Sequence, residues 1–183
     1  MNMLINVIAF KIGWLSSVVG VAVEMPLLGP AVIFVAIVLH LRLVGYPLNE
    51  LLLIIMTGLI GAAVDSIMIS AGWLSYPTGT LAAGFSPYWI VAMWMLFATT
   101  FNVSFRWLRS RFLLAAAMGA ISGPLSYYFG AKFGAVTLND FSAAMIALAI
   151  GWGALMPGLL LLAKRLDGAI PQAEADLVRI PLK

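Results

Sequence analysis

Two ionisable residues, Lys11 and Asp65, interrupt long apolar stretches of this chain. A charge in hydrocarbon is costly, so such residues turn toward a bundle interior or a cavity and seek a partner. With a helical rise of about 1.5 Å per residue, Lys11 lies about 12 Å from the start of its apolar run, and Asp65 about 12 Å from the end of its own. In a layer about 30 Å thick, their backbones differ in depth by only about 6 Å. A Lys11–Asp65 pair is therefore allowed. It is either a structural ion pair or a functional one that binds a polar head or shuttles a proton. The alternative is that the two never meet, with Lys11 reaching for the nearer surface and Asp65 bound to hydroxyls or kept protonated by desolvation.

The remaining polar residues fall into two groups. Asp65, Ser66, Ser126, Tyr127 and Tyr128 share the outer half, with Lys132 at the surface; Asn6, Thr99, Thr100, Asn102, Ser104 and His40 share the inner half. Asn6 and Asn102 both need partners in lipid and are placed to bond one another. These groups are either interhelical clamps, worth about 0.6–2 kcal/mol each, or the wall of a polar pocket. The candidate ligand-binding set is Asn6, Lys11, Trp14, Asp65, Ser66, Thr99, Asn102, Ser122, Tyr127 and Tyr128.

Several chemistries are excluded. A Ser-His-Asp triad needs hydrogen-bond contact, but His40 and Asp65 are more than about 15 Å apart by helical rise. His40 reads as an interfacial histidine. The chain has no cysteine and a single histidine, so no disulfide, thiolate metal site or iron–sulfur cluster is expected, and neither a metal nor another cofactor. No glycine-rich phosphate loop follows a strand. No residue is assigned a catalytic role.

The elements that position these residues follow from composition. Of 183 residues, 63% are hydrophobic and 9% charged, whereas soluble domains are about one quarter charged. A soluble globular enzyme is excluded, and lipid is the expected solvent. Six apolar runs approach the roughly 20 residues that a helical crossing needs: 3–23, 27–44, 51–73, 87–105, 112–131 and 141–163. The first resembles a signal peptide, but it lacks a basic leader and contains Lys11, so it is expected to be retained. The link 74–86 is either re-entrant or a surface loop, and the charged segment 164–183 is a poorly ordered tail.

With the first crossing starting inside, Arg42, Arg106, Arg109, Arg111, Lys164, Arg165, Arg179 and Lys183 fall inside and only Lys132 outside. This bias predicts an all-α six-helix membrane bundle with both termini cytoplasmic. The net charge of +3 then reflects contact with anionic headgroups, and nucleic acid is not an expected partner. Small residues at four-residue spacing, above all Ala115, Gly119 and Gly123, predict close packing with the fifth helix central, or a homodimer seam. Pro124 and Pro157 lie inside helices. Pro124 leaves a carbonyl that Ser122 or Ser126 is placed to satisfy. Trp73, Tyr76, Tyr88, Trp89, Tyr46 and Trp107 read as interface anchors. Trp14, Trp94 and Trp152 lie deeper.

The stretches Asn6…Lys11-Ile12-Gly13-Trp14, Asp65-Ser66, Thr99-Thr100-Phe101-Asn102 and Ser122-Gly123-Pro124-Leu125-Ser126-Tyr127-Tyr128 resemble the DUF2878 family of small bacterial inner-membrane proteins of unknown function. The family pattern carries Gln where this chain has Lys11. The resemblance implies a bacterial inner-membrane location and, by genomic association with fatty-acid-modifying enzymes, a link to membrane fatty-acid metabolism or envelope stress. The leading expectation is a lipid-associated accessory or modifying protein with an intramembrane polar pocket. Its partners would be membrane lipids, and a second copy or other membrane proteins. The alternatives are a small proton-coupled transporter, with Asp65 and Lys11 as coupling groups, and a structural or assembly subunit of a membrane complex.

Overall fold

The computed structural model describes residues 2–169. Six helices account for most of them: α1 (Met3–Ala22), α2 (Leu28–Leu43), α3 (Pro47–Ser70), α4 (Tyr88–Phe101), α5 (Phe112–Lys132) and α6 (Phe141–Arg165). Two short strands, β1 (Leu74–Ser75) and β2 (Thr137–Leu138), pair antiparallel with Leu74 opposite Leu138. A 3-10 turn at Arg106–Leu108 joins α4 to α5. The structure places one helix in each of the six apolar runs. Helices α1, α3, α5 and α6 are long and apolar enough to cross a membrane, whereas α2 and α4, at 16 and 14 residues, are apolar but shorter.

Local chemistry sets the helix ends. Asn2 caps α1 by accepting from the Leu4 amide at 2.9 Å, and Asp140 caps α6 by accepting from Ala143 at 2.9 Å. Such caps satisfy amides that have no partner within the helix. Helix α3 begins at Pro47, four residues before the apolar run, because proline is tolerated in the first turn. It ends ahead of Gly72, whose φ of +75° suits glycine best. Helix α4 stops at Phe101. The Thr99 and Thr100 hydroxyls donate to the carbonyls of Leu96 and Phe97, and the Phe105 amide turns back to Thr100. Residues 102–105 therefore leave the helix, although they belong to the fourth run.

Helix α4, and not α5, is central. It packs against α1, α2, α3 and α6, while α5 packs chiefly on α6. The small residues of α5 do mediate close approach, but toward one neighbour. A Cβ on Gly119 would overlap the Trp152 carbonyl, and one on Gly123 would overlap the Trp152 ring. Gly61 of α3 likewise leaves room for Trp94 of α4, and Gly29 of α2 for the backbone of Ser17 in α1. Small residues permit contact between helices. They do not specify which helix gathers the most contacts.

The link 74–86 is anchored to the bundle near both ends, while its middle, with Leu81 and Phe85, is exposed. Leu74 is buried and paired to β2, Trp89 donates to the Thr78 carbonyl at 3.1 Å, and the Ser86 amide donates to Ser66 at 2.9 Å. Trp89, expected as an interface anchor, is 1% exposed. Of the segment expected as a charged tail, Lys164 and Arg165 belong to α6, and Asp167 and Gly168 dock onto the bundle. Residues 170–183 lie outside the described residues. Large apolar side chains such as Phe34, Leu59, Leu113, Ile121 and Ile150 point outward on α2, α3, α5 and α6. Water would penalise that much contiguous apolar surface, and lipid does not.

Close packing of α5 on α6 yields a direct test. Gly119→Ala is expected to destabilise the protein by about 1–3 kcal/mol through overpacking. Gly151→Ala, whose Cβ meets nothing within 4 Å, should keep stability or raise it by up to about 1 kcal/mol through helix propensity. Thermal unfolding in mild detergent separates the two.

Candidate functional site

Asp65 is fully buried in α3, one turn beyond the point where Trp94 packs on Gly61. Its Oδ1 accepts from the Tyr76 hydroxyl at 2.7 Å and the Tyr127 hydroxyl at 2.8 Å, and its Oδ2 accepts from Trp94 Nε1 at 2.8 Å. Tyr76 follows β1, Tyr127 sits on α5 and Trp94 on α4. Asp65 thus ties three separate segments to α3. Three donors on two oxygens can satisfy a buried carboxyl group without a cation. Burial, and then the Asp65 charge, push the Tyr76 phenol well above its ordinary range, so it remains a donor. Tyr76, expected as an interface anchor, is thereby an interior ligand of Asp65.

The Lys11–Asp65 pair does not form. Among the described residues no basic side chain lies within 4 Å of Asp65, and no acid within 4 Å of Lys11, which is exposed on α1. Helix α1 packs chiefly on α2 and α4, so similar positions along the two helices do not bring the side chains together. Tyr128 also stays apart from Asp65. Its ring meets Phe129 and Phe141, with Lys132 Nζ 5.3 Å from its centre. Ser66 donates to the Ala62 carbonyl at 2.6 Å and accepts from Ser86, which anchors the loop.

At the opposite end of α3, the sequence reading missed a second buried carboxylate. Glu50 has no exposed surface; His40 Nε2 lies 2.9 Å from its Oε2, and Asn102 Nδ2 and the Gly168 amide both donate to Oε1, the latter at 3.0 Å. His40 is therefore not interfacial; it is 1% exposed. Asn102 also donates to the Leu166 carbonyl at 3.3 Å. Asn6 does not reach Asn102: it donates to the Thr99 carbonyl at 3.1 Å and accepts from Ser104. Arg106 and Arg109 hold Asp167 at 2.7 and 2.9 Å. The signal for Glu50 lay in the sequence. An acid in the first turn of a helix opened by a proline favours the positive helix end, and His40 precedes it across a short turn.

Between α1, α4 and α5 lies a cavity of about 690 Å³, floored by Trp152 of α6. Trp94 and Trp152 stack at 4.6 Å with 10° between their planes, and Phe97 meets Trp152 edge-on at 5.5 Å. Across the mouth, Trp14 Nε1 of α1 donates to Ser126 Oγ of α5 at 3.2 Å. Lys11, Ser122 and Tyr127 also line the cavity. Ser122 donates to the Met118 carbonyl at 2.7 Å, and Ser126 accepts from Trp14. Neither is recorded on the carbonyl of Ala120, which Pro124 leaves without its usual donor. Of the candidate residues, the cavity brings together Lys11, Trp14, Ser122 and Tyr127; Asp65 stands behind Tyr127 and Trp94. Asn6, Ser66, Thr99, Asn102 and Tyr128 lie outside it.

A family model described as "Protein of unknown function (DUF2878)" matches residues 3–158, most of the chain. No curated protein and no solved structure matches.

The Asp65 cluster is testable apart from any ligand. Tyr127→Phe should cost about 1–3 kcal/mol, because it removes one donor from a buried carboxyl group. Tyr128→Phe, one residue on but outside the cluster, should stay within about 0.5 kcal/mol of the parent. Equal Tm values for the two variants would refute the assignment.

Proposed function

We propose, from the premise that the chain belongs to the DUF2878 family, that it is a multi-pass inner-membrane protein that holds the hydrocarbon chain of a lipid or isoprenoid-like molecule beside α4. The observation that carries this reading is the aromatic cavity of about 690 Å³ between α1, α4 and α5. Its size falls in the range of sites that take small molecules, about 300–1,000 Å³. Its lining is chiefly apolar, with isolated polar groups at Lys11, Ser122, Ser126 and Tyr127. Along α1 it runs from Val7 to Val18, about 16 Å at the helical rise. That is about half the thickness of a hydrocarbon core, the length one lipid chain occupies in a leaflet.

In this reading all six helices cross the membrane and both termini are cytoplasmic. The lysine and arginine bias supports that orientation. The lengths of α2 and α4 do not oppose it. Protein surrounds most of α4, and backbone that leaves a helix at membrane depth is tolerated where protein buries it. The role is that of an accessory or modifying protein acting on the held lipid, in membrane fatty-acid metabolism or the envelope stress response. A proton-coupled carrier is less well supported, because Lys11 and Asp65 do not pair and Asp65 has no surface on the cavity.

Protein purified in mild detergent is expected to retain a long-chain molecule detectable by native mass spectrometry. Met93→Trp, which adds bulk to the cavity wall, should lower that retention. A wild-type protein that carries no such molecule and binds none when supplied would sink the reading. Reporter fusions at the two ends should give the same side of the membrane, and opposite sides would remove the six-crossing topology.

A further inference from the structure

Lys11 is the charged residue among those that line the cavity. It is exposed, lies about 12 Å along α1 and has no acid within 4 Å among the described residues. An ammonium group at that depth in a hydrocarbon layer is costly without a partner. The surroundings offer it an opening with defined walls. Trp14 and Ser126 join α1 to α5 at 3.2 Å. Lys11 is three residues before Trp14 and Ser122 four before Ser126, so the two stand at nearly one level, about one helical turn below that bond. Both are exposed, one on each side of the gap. Behind the Trp14–Ser126 bond, Trp94, Phe97 and Trp152 form an apolar wall. On α5 the lining extends from Ser122 to Phe133, about 16 Å.

We infer that Lys11 and Ser122 form the head-group site of the cavity, and that its ligand is a single-chain amphiphile with a carboxylate head. The inference rests on the proposed binding of a hydrocarbon chain and specifies the head that goes with it. The carboxylate accepts from the Lys11 ammonium at the gap, and from the Ser122 hydroxyl when that hydroxyl turns away from the Met118 carbonyl to which it donates. The chain passes behind the Trp14–Ser126 bond, along Trp94 and Trp152, toward Phe133. The opposite polarity fails on charge. A cationic head needs an accessible carboxylate, and both oxygens of Asp65 are taken up by Tyr76, Tyr127 and Trp94 in a side chain with no exposed surface.

The test uses the full chain in nonionic detergent at about pH 9, above the carboxyl range and below that of lysine. Quenching of tryptophan fluorescence reports binding of 9,10-dibromostearic acid, the matching alcohol, the matching amine and the matching alkyl phosphate. The acid should half-saturate at a concentration about tenfold or more below that of the alcohol, the margin of a charge-assisted hydrogen bond. Lys11→Gln should bring the acid to the level of the alcohol and leave the alcohol unchanged, and Lys11→Arg should restore the margin. Equal binding of acid and alcohol, a margin that survives Lys11→Gln, or tighter binding of the amine overturns the head-group inference and leaves the chain-binding reading standing. A phosphate that outcompetes the acid overturns the carboxylate assignment. Binding of none of the four overturns both readings.

Discussion

A carboxylate removed from water must be given donors, and among the described residues two such groups stand at opposite ends of one helix. Asp65 collects Tyr76, Trp94 and Tyr127; Glu50 collects His40, Asn102 and the Gly168 amide. Each set comes from segments far apart in sequence. An unpartnered buried charge costs several kcal/mol, so each carboxylate selects against arrangements that leave its partners elsewhere. Helix α3 is thereby secured at both ends. The β1–β2 loops close over one end of the bundle, and the segment after α6 closes over the other.

The cavity follows from the same arrangement. With α4 drawn toward α3 by the Trp94–Asp65 bond and by the room at Gly61, its indole is oriented to stack on Trp152. Gly119 and Gly123 let α5 settle against Trp152 from the other side. Helices α1 and α5 then flank α4 without closing on each other, and the Trp14–Ser126 bond bridges the gap between them. Much of the void is lined by aromatic faces, and Trp94, Phe97 and Trp152 hold their shape by packing on one another. The Trp152 indole N–H, buried beside this void, has no partner among the described residues, and the polar lining groups are few enough to set the orientation of a guest.

Several expectations failed for one shared reason: position along a helix is legible from the chain, but azimuth and neighbour identity are not. Lys11 and Asp65 were matched by expected depth, yet they belong to helices that pack chiefly on other neighbours. Asn6 and Asn102 were matched on the same basis, and each found another partner. His40 was placed at the interface because it precedes Arg42, but it turns inward to Glu50. Tyr76 and Trp89 had the residue type and position of interface anchors and are interior instead. The small residues of α5 correctly signalled close packing, but such a signal does not name the partner. Glu50 went unnoticed because an acid next to a proline-led helix start also looks like an ordinary exposed residue of the first turn.

The chain by itself determined a membrane-like apolar composition, the family resemblance, the existence and approximate limits of six helices, and the position of each polar residue along its helix. These depend on composition and on the constant rise of a helix, which are local quantities. Tertiary structure alone decided that α4 is central, which donors reach Asp65 and Glu50, and that a cavity opens where Lys11, Trp14, Ser122 and Tyr127 converge. Those outcomes depend on how each helix is rotated about its axis. That rotation is set by the sum of many side-chain contacts between helices, and no single segment encodes it.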